Sequence, residues 1–276
     1  MYNKVYVEIG NICNMNCSFC HGHHRSPRQM SMDEFTYILD RLKEYTQYIY
    51  YHLMGEPLLH PQLHEFIRLA GERGFKSIIT TNGTLLSDCE DAILAAVLHK
   101  VNISIHSFED GDEQAHIEYI RSLASFAKRA SDAGTIVVFR FWNMGLDNGK
   151  NEFAIKVLKE HIPGEWVNNR RGMKIKDRVF IEFDERFEWP DSASEVKGEK
   201  FYCYGLKDQF GILADGTVVP CCLDSEGVIA LGNIFTQNMA DILGSERAAA
   251  MREGFMCGKA TEELCRRCGY AQRFVR

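Results

Sequence analysis

Cys13-Asn-Met-Asn-Cys17-Ser-Phe-Cys20 carries three thiols in eight residues, directly after the strand-like stretch Lys4-Val-Tyr-Val-Glu-Ile9. The spacing C-x3-C-x2-C offers three thiolates and no fourth. A cubane iron–sulfur cluster takes four ligands, so three protein thiolates leave one iron open to a small molecule. The alternative for the same residues is a zinc site of three thiolates and one imidazole, with His21, His23 or His24 as the donor.

Outward from this segment, strand-like and helix-like stretches alternate as far as residue 183. Strands are expected at Val5–Ile9, Tyr48–Leu53, Ser77–Thr81, Val101–Ile105, Thr135–Phe141 and Val179–Phe183. Between them, apolar residues recur at helical spacing over Pro61–Ala70, Asp88–His99, Asp112–Ala133 and Glu152–His161. Ser31-Met-Asp-Glu34 is a capping box that opens a helix on which Phe35, Ile38, Leu39, Leu42 and Tyr45 recur at helical spacing. Six strands alternating with helices make a parallel sheet with right-handed crossovers. In parallel barrels, function gathers at the C-terminal ends of strands. The cysteine triplet lies just past the first of them.

The ends of the later strands carry further signals. The second ends Met54-Gly55-Glu56-Pro57, the third Thr80-Thr81-Asn82-Gly83, the fourth Ser104-Ile-His106-Ser107 and the fifth Arg140-Phe-Trp142-Asn143. By strand alternation Ser104 and His106 share one face. Arg140 ends an apolar strand, where an unpaired charge is costly. Its partner is either a bound anion or a carboxylate at the end of the sixth strand, Glu182 or Asp184.

This ordered set resembles the radical S-adenosylmethionine (SAM) superfamily, whose cluster motif is C-x3-C-x2-C with an aromatic residue, here Phe19, before the last cysteine. The resemblance implies a partial (β/α)6 barrel over residues 1–190. It implies a [4Fe–4S] cluster on Cys13, Cys17 and Cys20. It implies SAM held by Phe19, Gly55, Glu56, Pro57, Asn82, Ser104, His106, Arg140 and Asn143, with Glu56 accepting from the SAM ammonium. The family chelates SAM on the open iron, cleaves it reductively to a 5′-deoxyadenosyl radical and abstracts hydrogen from a substrate. Met54 departs from the family's Gly-Gly-Glu-Pro segment, which has glycine at that place.

After Pro190 the pattern changes. Asp191–Lys200 reads as a loop, Phe210–Val219 as a hairpin turning at Asp215-Gly216, and Gln237–Glu253 as one helix. The chain has ten cysteines, and all but Cys89 fall into two groups at its opposite ends. In a reducing compartment, clustered cysteines read as metal ligands. Cys89 reads as a small buried hydrophobe. The second group resembles the shortened, four-cysteine auxiliary domain (Twitch/SPASM-like) of radical SAM enzymes. That resemblance implies a closed auxiliary [4Fe–4S] cluster on Cys203, Cys221, Cys265 and Cys268 within residues 191–276. Either Cys222 or Cys257 could replace one of the four, and a four-thiolate zinc site is the alternative.

A composition of 45% hydrophobic and 25% charged residues with net charge −6 is that of an ordinary globular chain and gives no global field for nucleic acid. No signal segment or run of 18 apolar residues is present, which gives the expectation of a cytoplasmic protein. The barrel begins at residue 4, leaving no room for an N-terminal peptide-recognition domain, so a small, nucleoside-like substrate is favoured. Its candidate contacts are His21, His23, His24, Arg25, Trp142, Glu182 and Asp184, with Glu188, Trp189 and Tyr204 nearby in the chain. The overall sequence resembles the queuine lyase type, which releases queuine from queuosine or its 5′-phosphate. Glu182 or Asp184 would then bind the side-chain amine, and Arg25 or Arg140 the phosphate. The alternatives are a radical SAM dehydrogenase of an amino-alcohol or aminoglycoside-type substrate, a peptide-modifying maturase, and a non-enzymatic metal-binding regulator. A flavodoxin or ferredoxin-type reductant is implied as the partner.

Overall fold

A computed structural model of the chain describes residues 1–108 and 111–274. They form two compact units, each assembled from separate stretches of chain.

One unit comprises residues 13–20 and 56–186. Its parallel strands are β3 (Lys76–Thr81), β4 (Lys100–Ser104), β5 (Ile136–Phe141) and β8 (Val179–Phe183), joined side by side in that order. The helices α2 (Leu63–Glu72), α3 (Leu86–Ala95), α4 (Glu113–Asp132) and α5 (Lys150–His161) intervene along the chain. Ile79, Val101, Ile103, Val137, Phe139, Val179 and Ile181 are fully or almost fully buried, as parallel strands covered on both faces require. Asp112 caps α4, its side chain accepting from Ala115 N at 2.8 Å. The hairpin β6 (Val167–Asn169) and β7 (Gly172–Lys176) stands between α5 and β8 and adds antiparallel strands to the β8 edge. This hairpin was not expected. All of β6 is exposed, so it has no apolar alternation to betray it.

The other unit comprises residues 1–12, 21–55 and 187–276. Strand β1 (Lys4–Val7) pairs in parallel with β2 (Tyr48–Tyr50) on one side and β9 (Gln209–Ile212) on the other. The hairpin of β9 and β10 (Thr217–Val219) forms as expected, and β11 (Gly232–Asn233) extends it. The capping box is present: Glu34 N donates to Ser31 Oγ at 3.2 Å and Ser31 N donates to Glu34 Oε2 at 2.8 Å. It opens α1 (Met32–Leu42), whose buried Phe35, Ile38, Leu39 and Leu42 each contribute about 2 kcal/mol of apolar burial. The single helix expected over Gln237–Glu253 is two, α6 (Met239–Gly244) and α7 (Glu246–Met256), before the short α8 (Glu263–Arg266). Ser245 separates them: its backbone is extended and its side chain accepts from Ala248 N, restarting the helix.

Candidate functional site

The first cysteine group lies on an irregular loop in which Cys13 and Cys20 are exposed and Cys17 is half-exposed. Cys20 N donates to Cys17 O at 3.1 Å, closing the C-x2-C turn. Met15 N donates to Cys13 Sγ at 3.5 Å, and the Cys17 thiol donates to Ser107 O at 3.8 Å. Three thiols on one short surface loop, one already receiving an N–H, suit a cluster with one open iron.

The strand ends of the same unit meet this loop. Glu56 is buried and caps the short 3₁₀ turn Pro57–Leu59, accepting from Leu58 N at 3.1 Å and Asn82 N at 2.8 Å. Burial pushes its carboxyl up to about 7; the N–H groups of Asn82 and Leu58 and the Thr81 side chain hold it from rising further. Asn82 Nδ2 donates to Asn14 Oδ1 at 2.9 Å, tying the Thr-Asn-Gly segment to the cysteine loop.

His106 does not follow the expected alternation from Ser104. Strand β4 ends at Ser104, and the chain enters a 3₁₀ turn over Ile105–Ser107. That turn aims His106 at Phe19, with ring centroids 4.8 Å apart, while His106 Nδ1–H donates to Arg140 O at 2.9 Å. The Arg140 guanidinium lies 4.6 Å from the Trp142 ring and shares register with Ser104 and Glu182 on the flanking strands.

Phe19 and His106 open onto a cavity of about 240 Å³. Asn143 lines it as well, accepting from Asn151 Nδ2 at 2.9 Å. Its other polar walls were invisible to sequence reasoning: Ser18, His116, Asp147, Lys150 and Arg186 come from loops and helix faces far apart in the chain. Arg186 donates to Ser18 Oγ at 3.1 Å and lies 5.2 Å from the Phe19 ring.

Asp184 lies in this unit, past the end of β8, its carboxylate accepting from Glu185 N at 2.8 Å, whereas Arg25, His23, His24 and His21 are engaged inside the other unit. Arg25 grips the fully buried Glu8 through both terminal nitrogens at 2.8 and 2.6 Å, and its Nε donates to Ser225 O at 2.7 Å. Glu8 also accepts from Met54 N and Ala214 N, so four donors satisfy its two oxygens. His23 Nε2 bonds Asn11 O at 2.7 Å, His24 pairs with Glu226, and His21 stacks with Trp189 at 6.1 Å. Tyr204 is exposed, and Glu188 pairs with Lys197. Gly55 has φ +78°, and a Cβ there would lie 2.6 Å from Gly10 O, which excludes any other residue without a backbone shift.

The second cysteine group lies in that unit too. Cys203, Cys221, Cys265 and Cys268 are partly buried, and each thiol is raised by burial, Cys268 to about 11. Cys203, Cys265 and Cys268 each act electrostatically on Cys221, as does Cys222, so these sulfurs share one neighbourhood. Cys268 N donates to Cys265 O at 3.2 Å and Gly205 N donates to Cys203 Sγ at 3.4 Å. Thiols that resist ionisation in water's absence are stabilised as thiolates by a metal. Cys257 is exposed at the end of α7. Among the described residues no helix is long and apolar enough to cross a membrane.

The Radical SAM superfamily profile matches residues 7–160, and that of the SPASM iron–sulfur cluster-binding domain matches residues 203–269. An S-adenosylmethionine-dependent nucleotide dehydratase of a Thermoplasmatales archaeon is 28% identical over 208 residues, 68% of this chain and 73% of that protein. A tungsten-containing aldehyde ferredoxin oxidoreductase cofactor-modifying protein of Pyrococcus furiosus is 38% identical over 88 residues, 30% of this chain. The match spans only a quarter of that relative's length. Among solved structures, BtrN in complex with AdoMet and 2-DOIA superposes with TM-score 0.61 at 16% identity, covering 97% of this chain and 93% of that one. For anSMEcpe with bound AdoMet the TM-score is 0.65 at 15% identity, covering 99% and 90%. These likenesses establish an α/β partial radical SAM barrel with a C-terminal SPASM-like domain. Its cofactors are a [4Fe–4S] cluster, SAM and an auxiliary iron–sulfur cluster. The chain belongs to the radical SAM superfamily and is a SPASM-type radical SAM enzyme.

Proposed function

We propose that this enzyme dehydrogenates a small amino-alcohol or polyol substrate. The observation that carries the reading is the second thiol group, where Cys203, Cys222, Cys265 and Cys268 all act on Cys221 in one partly buried neighbourhood, enough thiols to ligate every iron of a cubane cluster. When bound, SAM and the first cluster supply a 5′-deoxyadenosyl radical that takes one hydrogen atom. A substrate CH–OH that has lost hydrogen becomes a ketone by releasing one further electron and a proton. An iron–sulfur cluster held by Cys203, Cys221, Cys265 and Cys268 would supply an acceptor for that electron. In sum, SAM and the alcohol give methionine, 5′-deoxyadenosine, the ketone and a proton, and the electron is returned. In our reading Cys13, Cys17 and Cys20 hold the first cluster, Glu56 receives the SAM ammonium, and Phe19, His106 and Asn143 wall the nucleoside cavity.

The structures similar to this chain span both substrate sizes, since BtrN was captured with 2-DOIA and anSMEcpe with peptides. Release of queuine is less well supported. None of the relatives named above is described as acting on queuosine, and Arg25, one of two arginines suggested for its phosphate, is held by Glu8. A flavodoxin or ferredoxin-type protein remains the proposed reductant.

The test is anaerobic incubation of the reduced, reconstituted protein with SAM and, in separate arms, 2-DOIA, a cysteine-containing peptide, and queuosine 5′-phosphate. A ketone formed in step with 5′-deoxyadenosine in the first arm supports the proposal. Turnover confined to the peptide, or free queuine in the third arm, overturns it.

A further inference from the structure

Three side chains beside the first cysteine group close a ring of hydrogen bonds. Asn14 Nδ2 donates to Thr84 Oγ1 at 2.9 Å, Thr84 Oγ1 donates to Asn82 Oδ1 at 2.7 Å, and Asn82 Nδ2 donates to Asn14 Oδ1 at 2.9 Å. Each link uses one donor and one acceptor, so turning either amide over would set like groups against each other. The ring is anchored on three further sides. Thr84 N donates to Asn82 Oδ1 at 2.9 Å, Asn82 N donates to buried Glu56, and the buried Tyr119 hydroxyl donates to Asn82 O at 2.6 Å. Thus Asn14 is the one residue between Cys13 and Cys17 whose side chain is tied by these bonds to a strand end.

We infer that Asn14 is a positioning residue that sets the cysteine loop in its metal-binding shape before the cluster arrives. The loop is irregular and largely exposed; Cys17, Ser18 and Phe19 tether its later half, and the ring tethers its first half, whose ordering on metal binding would otherwise cost conformational entropy. The ring removes that cost in advance. It also fixes the peptide between Asn14 and Met15, whose N–H reaches Cys13 Sγ. An N–H aimed at a cluster sulfur stabilises the reduced cluster and raises its potential. Asn14 therefore acts through the backbone on both loading and potential. The inference rests on the reading that Cys13, Cys17 and Cys20 hold a cluster.

The experiment compares wild type, Asn14→Ala, Asn14→Asp, Thr84→Val and Cys17→Ala. Hydrogen exchange of the metal-free chains is followed by anaerobic reconstitution at limiting iron. Asn14→Ala should exchange faster over residues 14–20 and load the first cluster about tenfold more slowly, the effect of losing two neutral hydrogen bonds. Its potential should fall, and the change in the cluster's EPR signal on adding SAM should need more SAM. Asn14→Asp keeps an acceptor for Asn82 Nδ2 and for a rotated Thr84 hydroxyl, so it should recover part of the exchange and loading effects, while its added charge keeps the potential low. Thr84→Val should add little to Asn14→Ala in the double variant, because the ring is already broken. Wild-type exchange, loading and potential in Asn14→Ala would overturn the inference. So would an Asn14→Asp variant that exchanges and loads no better than Asn14→Ala. Cys17→Ala loading both clusters normally would instead remove the reading beneath it.

Discussion

The two cysteine groups share one local device and differ in their surroundings. In each, a C-x2-C turn is closed by the later cysteine's N–H, Cys20 to Cys17 and Cys268 to Cys265. Around the first group the loop is exposed, and its partners are polar side chains. Burial raises Cys13 there, whereas around the second group it raises all four of Cys203, Cys221, Cys265 and Cys268, Cys221 and Cys265 well above the ordinary thiol value. In the proposed assignment, the same turn serves an open site that binds SAM and a closed one that only passes electrons. Exposure, more than cysteine spacing, separates the two roles.

The harshest way to break this contrast is Cys17→Ala. It should reduce 5′-deoxyadenosine formation to the uncatalysed background while leaving the auxiliary cluster's spectrum in place, as read by chromatography and EPR. Cys221→Ala should do the reverse. SAM cleavage continues, the ketone yield per 5′-deoxyadenosine collapses, and the domain around residues 203–269 becomes sensitive to proteolysis. If both variants lost the same activity in the same proportion, the division of labour would be wrong.

Arg25 sharpens the contrast from the structural side. Its side chain is only 15% exposed and its partner Glu8 is 0% exposed. Arg25→Ala should therefore cost about 4 kcal/mol of stability by stranding a buried carboxylate. Chemical denaturation measures this. A near-neutral result with a raised substrate KM would return Arg25 to the substrate site.

The smallest effect is a pH slope. Glu56 is raised from an ordinary value of 4.5 to about 7 by burial in the SAM-free chain. Folding thus favours its protonated form. That stabilisation is present in full below about pH 4.5 and is lost as pH rises through about 7. Relative to Glu56→Gln, wild-type stability should fall by about 3 kcal/mol from acid to pH 8. Denaturant melts across that range measure it. Saturating SAM should flatten the slope if its ammonium sits on the Glu56 carboxylate.

Much of this was legible in the chain because the strong signals are periodic or covalently local. Strands β3, β4, β5 and β8 begin and end within one residue of the sequence expectation, since apolar runs between helices admit few other readings. The Ser31–Glu34 box and the Asp215-Gly216 turn were equally plain. What stayed hidden lacked such a signal. Strand β6 is polar throughout, and the loop it shares with β7 is Arg170-Arg171, not Asn-Gly. His106 faces Phe19 through a 3₁₀ turn that a period of two cannot foresee. His116, Asp147 and Lys150 reach the cavity only once α4 and α5 pack, which no spacing along the chain encodes.

Strand β1 has a consequence for biosynthesis. Its two parallel neighbours are β2, around residue 49, and β9, around residue 210. On the ribosome one edge of β1 must therefore wait, unpaired, for some hundred and sixty residues after β2 has emerged. Glu8, just past the strand, receives its last donor, the Ala214 amide, only when β9 arrives. The edge of the sheet that β9 completes is therefore among the last parts of this unit to close, and an acid beside an unpaired strand edge is the kind of residue that disfavours pairing with another chain.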